Sequence, residues 1–216
     1  DQEFAAKFTS MEGRVYPFDR EKDMGNVPYN PELPTYCSMD FGYRMPSVLW
    51  FQTYIENGNP HINIIDEIIH ERNIATDKLA EMIKKKNYPV ITYYGDPAGS
   101  FVQGQSGMGD IHVFRKHGIY VEYRMDKLSR NIQGGVSYCR GFFENVDGLR
   151  RIKVDNRCVG IAEDFENYRF PEAQEGKPIS NNPIKDGYNE HGCDAFRYFI
   201  LNRFPIRSNF IGRISR

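Results

Sequence analysis

Long apolar runs are missing from this chain. No stretch approaches the ~20 residues that a bilayer crossing requires, and the opening DQEFAAKF carries no apolar signal core. An excess of one charge is missing too: 28 basic residues face 29 acidic ones, for a net charge of -1 at pH 7. Without a global basic field, a passive nucleic-acid coat is disfavoured, and contact with a polyanion has to come from local patches. Cysteine is scarce. Cys37, Cys139, Cys158 and Cys193 are widely spaced with no CxxC pair, which suggests neither a zinc cage nor a disulfide framework and implies reduced thiols in a cytosolic setting. What is present is a core: 216 residues, 40% hydrophobic and 14% aromatic, suffice for one sizeable domain.

In chain order, residues 1–10 read as a short amphipathic helix through Phe4, Ala5 and Phe8. The chain opens without Met and in mid-helix, as expected for a piece of a longer protein. Residues 11–34 mix Gly13, Pro17, Gly25, Pro28, Pro31 and Pro34 among charges and read as an extended connector on the domain surface. Tyr36 to Met39 form a short strand that ends in Asp40, and Gly42 with Pro46 turns it into a second strand, Val48 to Ile55. A turn cluster at 57–60 leads to a third, His61 to His70, completing an antiparallel meander with Asp66 and Glu67 on an exposed strand edge. Thr76 is the expected N-cap of a helix to Lys86.

Tyr88 to Gly95 is an uncharged strand, expected to be buried on both faces, and Asp96 follows it. The glycine-rich loop 104–109 lacks the Lys-Ser/Thr ending of a phosphate-binding loop, and His112 stands where a dinucleotide fingerprint needs glycine. An Asp110-capped helix ending at Gly118, a strand Ile119 to Tyr123 and a helix Ser129 to Asn145 follow. Arg150, Arg151, Lys153 and Arg157 read as a solvated charge run or a phosphate-tracking patch. After a helix Val159 to Tyr168, the segment Phe170 to Gly187 reads as a long loop able to gate a site. The last helix, Asn189 to Asn202, turns Ala195, Phe196, Phe199 and Ile200 inward; the tail beyond it holds four arginines and no acid, either disordered or in contact with DNA or a partner.

Three carboxylates carry the candidate chemistry: Asp40 and Asp96 at strand ends, and Asp194 near a helix start. Each alone reads equally as a turn, strand-end or first-turn Asp. Brought to one sheet edge, three anions would force protonation unless divalent cations sat between them. Carboxylate oxygens suit Mg2+ or Mn2+, and two ions ~3.5 to 4 Å apart can clamp a scissile phosphate. His191 and Glu190 lie three and four residues before Asp194, on the same helix face. His61, His70, His112 and His117 read as surface or capping residues, and Arg44 as a solvated turn arginine.

The segments SMDFGYRMP, TYYGDPAGS and NEHGCDAFRYF, in that order, together with QEFAAKFTSMEGRVYP at the start, make the chain resemble a family: the C-terminal nuclease domain of the tailed-bacteriophage terminase large subunit. The resemblance covers nearly the whole chain, with DAxRY its most specific piece. It implies an α/β, RNase H-like mixed sheet, three antiparallel strands followed by parallel ones, with helices on both faces. Residues 1–34 would connect to an absent N-terminal ATPase domain, 35–202 would be the nuclease and 203–216 a basic tail. Asp40, Asp96 and Asp194 would hold two Mg2+ or Mn2+ ions, with His191 a further ligand or a supporting group and the part of Glu190 open. The implied activity is endonucleolytic cutting of concatemeric double-stranded DNA with little sequence specificity. The implied partners are DNA, a small terminase subunit, a portal protein and the ATPase domain of the same polypeptide, with no membrane. The implied place is the host cytoplasm, docked transiently on the procapsid portal. No Walker A motif is present, so ATP hydrolysis is not expected. Two alternatives stay open: another RNase H-like enzyme, such as a junction resolvase or transposase, and a docking module whose acids are structural.

Overall fold

Side chains that alternate along Thr35–Asp40 (β2) divide the molecule into two cores. Tyr36 packs into one and Cys37 and Met39 into the other, as a period of two requires for a strand covered on both faces. The computed structural model describes residues 13–41, 44–96, 109–124, 131–172 and 181–205. Its elements are Arg20–Asp23 (α1), Met24–Gly25 (β1), β2, Ser47–Glu56 (β3), Asn59–Ile68 (β4), Thr76–Lys85 (α2) and Val90–Gly95 (β5). Then come Asp110–Lys116 (α3), Val121–Glu122 (β6), Ile132–Phe143 (α4), Ile152–Asp155 (β7), Val159–Asn167 (α5) and Glu190–Arg203 (α6).

The described strands form one seven-stranded sheet in the order β1-β7-β4-β3-β2-β5-β6. β2, β3 and β4 are an antiparallel meander, while β5, β6, β7 and β1 join in parallel. Helices α4, α5 and α6 cover one face around Phe143, Phe165, Phe196 and Phe199; α2 and α3 cover the other around Trp50, Leu79 and Phe114. Phe51 of β3 and Phe199 of α6 stack with centroids 3.9 Å apart, a contact that ties the last helix to the centre of the sheet. Each ring so buried contributes about 1.5–3 kcal/mol.

Several expectations are corrected. The surface connector is, over its described part, a piece of the core: Val15, Tyr16 and Phe18 are fully buried, with Tyr16 stacked on Phe143. The arginine-rich window 150–157 contains β7, which neither alternative foresaw. Two of its arginines are ion-paired, Arg150 with Asp23 and Glu144 and Arg157 with Asp155, while Lys153 bonds the carbonyl of Lys22 and Arg151 that of Gly141. β4 is no exposed edge, because β7 pairs with it. Only Tyr94 and Gly95 of β5 are buried, and Ile91 is exposed. Thr76 is the first residue of α2 and donates to Asp110, while Asp110 opens α3 after an N-cap at Gly109. Arg203 ends α6 and belongs to the helix. The helix expected at 1–10, Gly42, most of the 104–109 loop, residues 173–180 of the gating loop and the tail beyond Pro205 lie outside the described residues.

Candidate active site

The same alternation that splits the cores aims the acids. Tyr36, Ser38 and Asp40 share the face of β2 beneath α6, where Tyr36 meets Phe199 and Ser38 donates to the carbonyl of Ala195 at 2.8 Å. On the neighbouring strand Tyr94 meets Phe199 as well, and Asp96, two residues on, continues that parity just past the strand end. Because β2 and β5 run parallel, Asp40 and Asp96 emerge at one edge of the sheet. α6 crosses above that edge with its first turns, which brings His191 and Asp194 down to it.

Asp40 is 7% exposed, and its Oδ2 lies 2.8 Å from Nδ1 of His191. Burial pushes Asp40 up to about 7, the charges of Asp194 and Asp96 push in the same direction, and the His191 contact opposes them. His191 is held above its ordinary value by that contact with Asp40, against the effect of burial. Asp194 is 6% exposed and accepts from Arg197 at 2.8 Å (Nη2) and 3.2 Å (Nε). Tyr198 has its phenol held far above its usual range, by burial first and then by the charges of Asp194, Asp40 and Asp96. One neutral hydroxyl side chain therefore senses all three acids.

Glu190 adds its charge to those that raise His191, but its carboxylate is bonded elsewhere. Its carboxylate accepts the backbone N–H groups of Gly187 at 2.9 Å and Tyr188 at 3.0 Å, fixing the turn that feeds α6. The first turn of α6 also approaches α5 closely at Gly192, where a Cβ would come within 2.2 Å of Asp164 Oδ2. The helix needs glycine there to sit low enough for His191 to reach Asp40. Glu67 and Asp66 stand apart from the site. As consecutive residues of β4 they point to opposite faces: Glu67 caps α5 through the N–H groups of Gly160 and Ile161, both at 2.8 Å, and Asp66 takes Lys86 and Tyr88. Of the other histidines, His61 lies beside Glu56, His117 beside Asp77 and His70 beside Asp164, while His112 is exposed.

The donors fit a hard divalent cation in kind: carboxylate oxygens on rigid element ends, and one imidazole. Ser47, paired directly across the sheet from Asp40, is buried with its Oγ unpartnered among the described residues, a polar atom suited to a bound water. Among the described residues, however, no three Asp, Glu, His or Cys side chains are gathered tightly enough to hold an ion as they stand. Asp40 and Asp194 instead have His191 and Arg197 as partners. The sequence reading missed Arg197, Tyr198 and Ser47. The spacing of Arg197, three residues after Asp194 on one helix, is the signal that could have found it.

The fold is shared with the nuclease domains of large terminases. In particular, the chain matches the P22 large terminase nuclease domain with a TM-score of 0.68 at 16% identity, over 89% of this chain and 93% of that one. It matches the nuclease domain of g2p, the large terminase of bacteriophage SPP1, solved with bound Mn, with a TM-score of 0.60 at 19% identity, over 84% and 96%. Against the large terminase of a thermophilic bacteriophage the TM-score is 0.66 at 19% identity, over 88% of this chain and 45% of that one, so the chain spans less than half of that protein. No family model and no curated protein matches the sequence.

Proposed function

We propose that this chain is the metal-dependent endonuclease domain of a DNA-packaging terminase, cutting double-stranded DNA by phosphodiester hydrolysis. The observation that carries the reading is the convergence of Asp40, Asp96 and Asp194 at one sheet edge, with Asp40 pushed up to about 7. A carboxylate so crowded is better stabilised by a cation than by a proton at neutral pH. Asp40, Asp96 and Asp194 would hold Mg2+ or Mn2+, two ions in the full site. Bound there, such ions supply activation of a water and neutralisation of the leaving 3'-oxygen.

The protein's own contribution is placement. β2 and β5 fix Asp40 and Asp96 at strand ends; α6 fixes Asp194, and Arg197 orients its carboxylate. His191 holds Asp40 in one rotamer and leaves Nε2 for substrate or solvent. Tyr198, its phenol held far above its usual range by burial first and then by the charges of the acids, keeps its proton beside them. Binding would follow backbone charge and not base edges, so affinity should be salt-sensitive and sequence specificity low. In the proposed setting the domain works with its own ATPase domain, a small subunit and a portal protein, in the host cytoplasm.

A docking-module reading draws on one observation, that Asp40 and Asp194 already have protein partners. Nicking and linearisation of supercoiled plasmid with Mn2+, Mg2+ or EDTA separates the two. Metal-dependent cutting that disappears in a folded Asp194→Asn variant is expected of the nuclease. Absence of cutting with every metal, the fold being intact, would leave the docking module standing.

A further inference from the structure

At the end of the molecule opposite the acids lies a cavity of about 990 Å3. It is bounded by the face of α4 that carries Tyr138, Gly141 and Phe142, by Arg151 ahead of β7, and by Arg203 and Phe204 at the close of α6. From Glu190 to Arg203 the helix advances about 20 Å, so this is a site separate from the Asp40 edge. Its wall holds two arginines and no acid.

Both guanidiniums are held flat against rings. Arg151 Cζ lies 4.2 Å from the Phe142 centroid, and Arg203 Cζ lies 5.0 Å from that of Tyr36 and 5.2 Å from that of Phe204. Arg151 spends one N–H group on the carbonyl of Gly141 at 2.6 Å. The Nε atoms of both arginines are buried with no hydrogen-bond partner among the described residues, and no carboxylate lines the cavity to offset the two charges, which an anion would do through their outer N–H groups. Burial also holds Arg151 below its ordinary value.

We propose that this cavity binds a small phosphate monoester with a flat aromatic body, of nucleotide size. Charge argues for the phosphate: a monoester carries about -1.5 to -2 at pH 7 and matches two arginines, which a single carboxylate does not. Volume argues for the body. The cavity is far larger than a bare oxyanion and falls at the top of the range that organic ligands fill, roughly 300–1,000 Å3. Tyr138 and Phe204, both partly exposed at the cavity wall, offer rings of the kind on which a base stacks. Gly141 keeps the space open, since nothing lies within 4 Å of where its Cβ would be. Two sources share this chemistry: a free nucleotide and the 5'-phosphorylated end of a DNA strand.

The test is calorimetric titration of the full chain in EDTA, where neither cutting nor metal-bridged phosphate binding contributes. The probes are thymidine 5'-monophosphate, thymidine, inorganic phosphate, and a tetranucleotide with or without its 5'-phosphate. The monophosphate should bind saturably and at least tenfold tighter than thymidine or phosphate alone. Arg203→Gln and Arg151→Gln should each weaken it about tenfold or more, as loss of a charged hydrogen bond does. Gly141→Leu, a change that favours the helix, should block the cavity while plasmid cutting continues, and this variant keeps the test sharp if Arg151→Gln melts early. Tighter binding of the phosphorylated tetranucleotide than of the monophosphate would assign the strand end, and equal binding the free nucleotide. Either result sustains the proposal. No saturable binding, equal binding of thymidine, or unchanged binding in Gly141→Leu would overturn it.

Discussion

Two aspartate–histidine pairs sit on either side of the first turn of α6, and both close at 2.8 Å: Asp40 meets His191 Nδ1, and Asp164 meets His70 Nε2. Their surroundings make them different objects. Asp40 shares an open sheet edge with Asp194 and Asp96, and its histidine is held above its ordinary value. Asp164, on α5, is fully buried against Gly192 of α6 and pushed up to about 9 by burial and then by the charge of Glu67, while burial holds His70 below its ordinary value. His70 also stacks on Tyr188 at 4.1 Å. The first pair stands in a cluster of acids, the proposed cation site; the second is a latch joining the end of β4, α5 and the turn before α6. Distance alone does not distinguish a site from a strut.

The sharpest way to break the comparison is to neutralise each acid. Asp40→Asn should abolish metal-dependent plasmid cutting without lowering the melting temperature, since it removes a crowded charge. Removal of the histidine partner, in His191→Ala, should cost about 10–100-fold in cutting rate or in the Mn2+ concentration needed, the usual loss for a group that orients a ligand. Asp164→Ala should cut normally yet lose about 1–3 kcal/mol, by orphaning His70 and leaving a void, which thermal melting would show as a drop of several degrees.

The same pair also sets a pH dependence. The Asp164 carboxyl is raised in the fold, so its contribution is fully present below the unfolded value near 4 and is lost as pH rises toward 9. Metal-free protein should therefore weaken from pH 5 to pH 9. Asp164→Asn should flatten that decline, and an unchanged slope in the variant would remove Asp164 as its source.

Much of this was legible in the sequence because chemistry and pattern coincided. Asp40 and Asp96 each follow an uncharged strand whose parity aims them at α6, and His191 and Asp194 share a face at helical spacing. What was illegible depended on pairing across the chain. Tyr16 and Phe18 lie in a stretch punctuated by glycine and proline, which local pattern reads as surface, and only the rings of α4, α5 and α6 make it core. The strand in 150–157 was hidden by its charges, one of which, Arg150, finds its buried partner Asp23 over a hundred residues away. The partners of Glu67 and Asp66 were hidden as well, since the N–H groups that Glu67 caps belong to α5, more than ninety residues on. The Asp164 latch gave no signal, because its histidine lies on another element.

Melting curves with and without Mn2+, on wild type, Asp40→Asn and Asp164→Asn, test the central claim most directly. An ion held by the sheet-edge acids at 100 times its dissociation constant adds about 2.7 kcal/mol. The wild type and Asp164→Asn should each gain several degrees, and Asp40→Asn should gain little or nothing. No gain in the wild type, or an equal gain in Asp40→Asn, would contradict a metal centre at this edge.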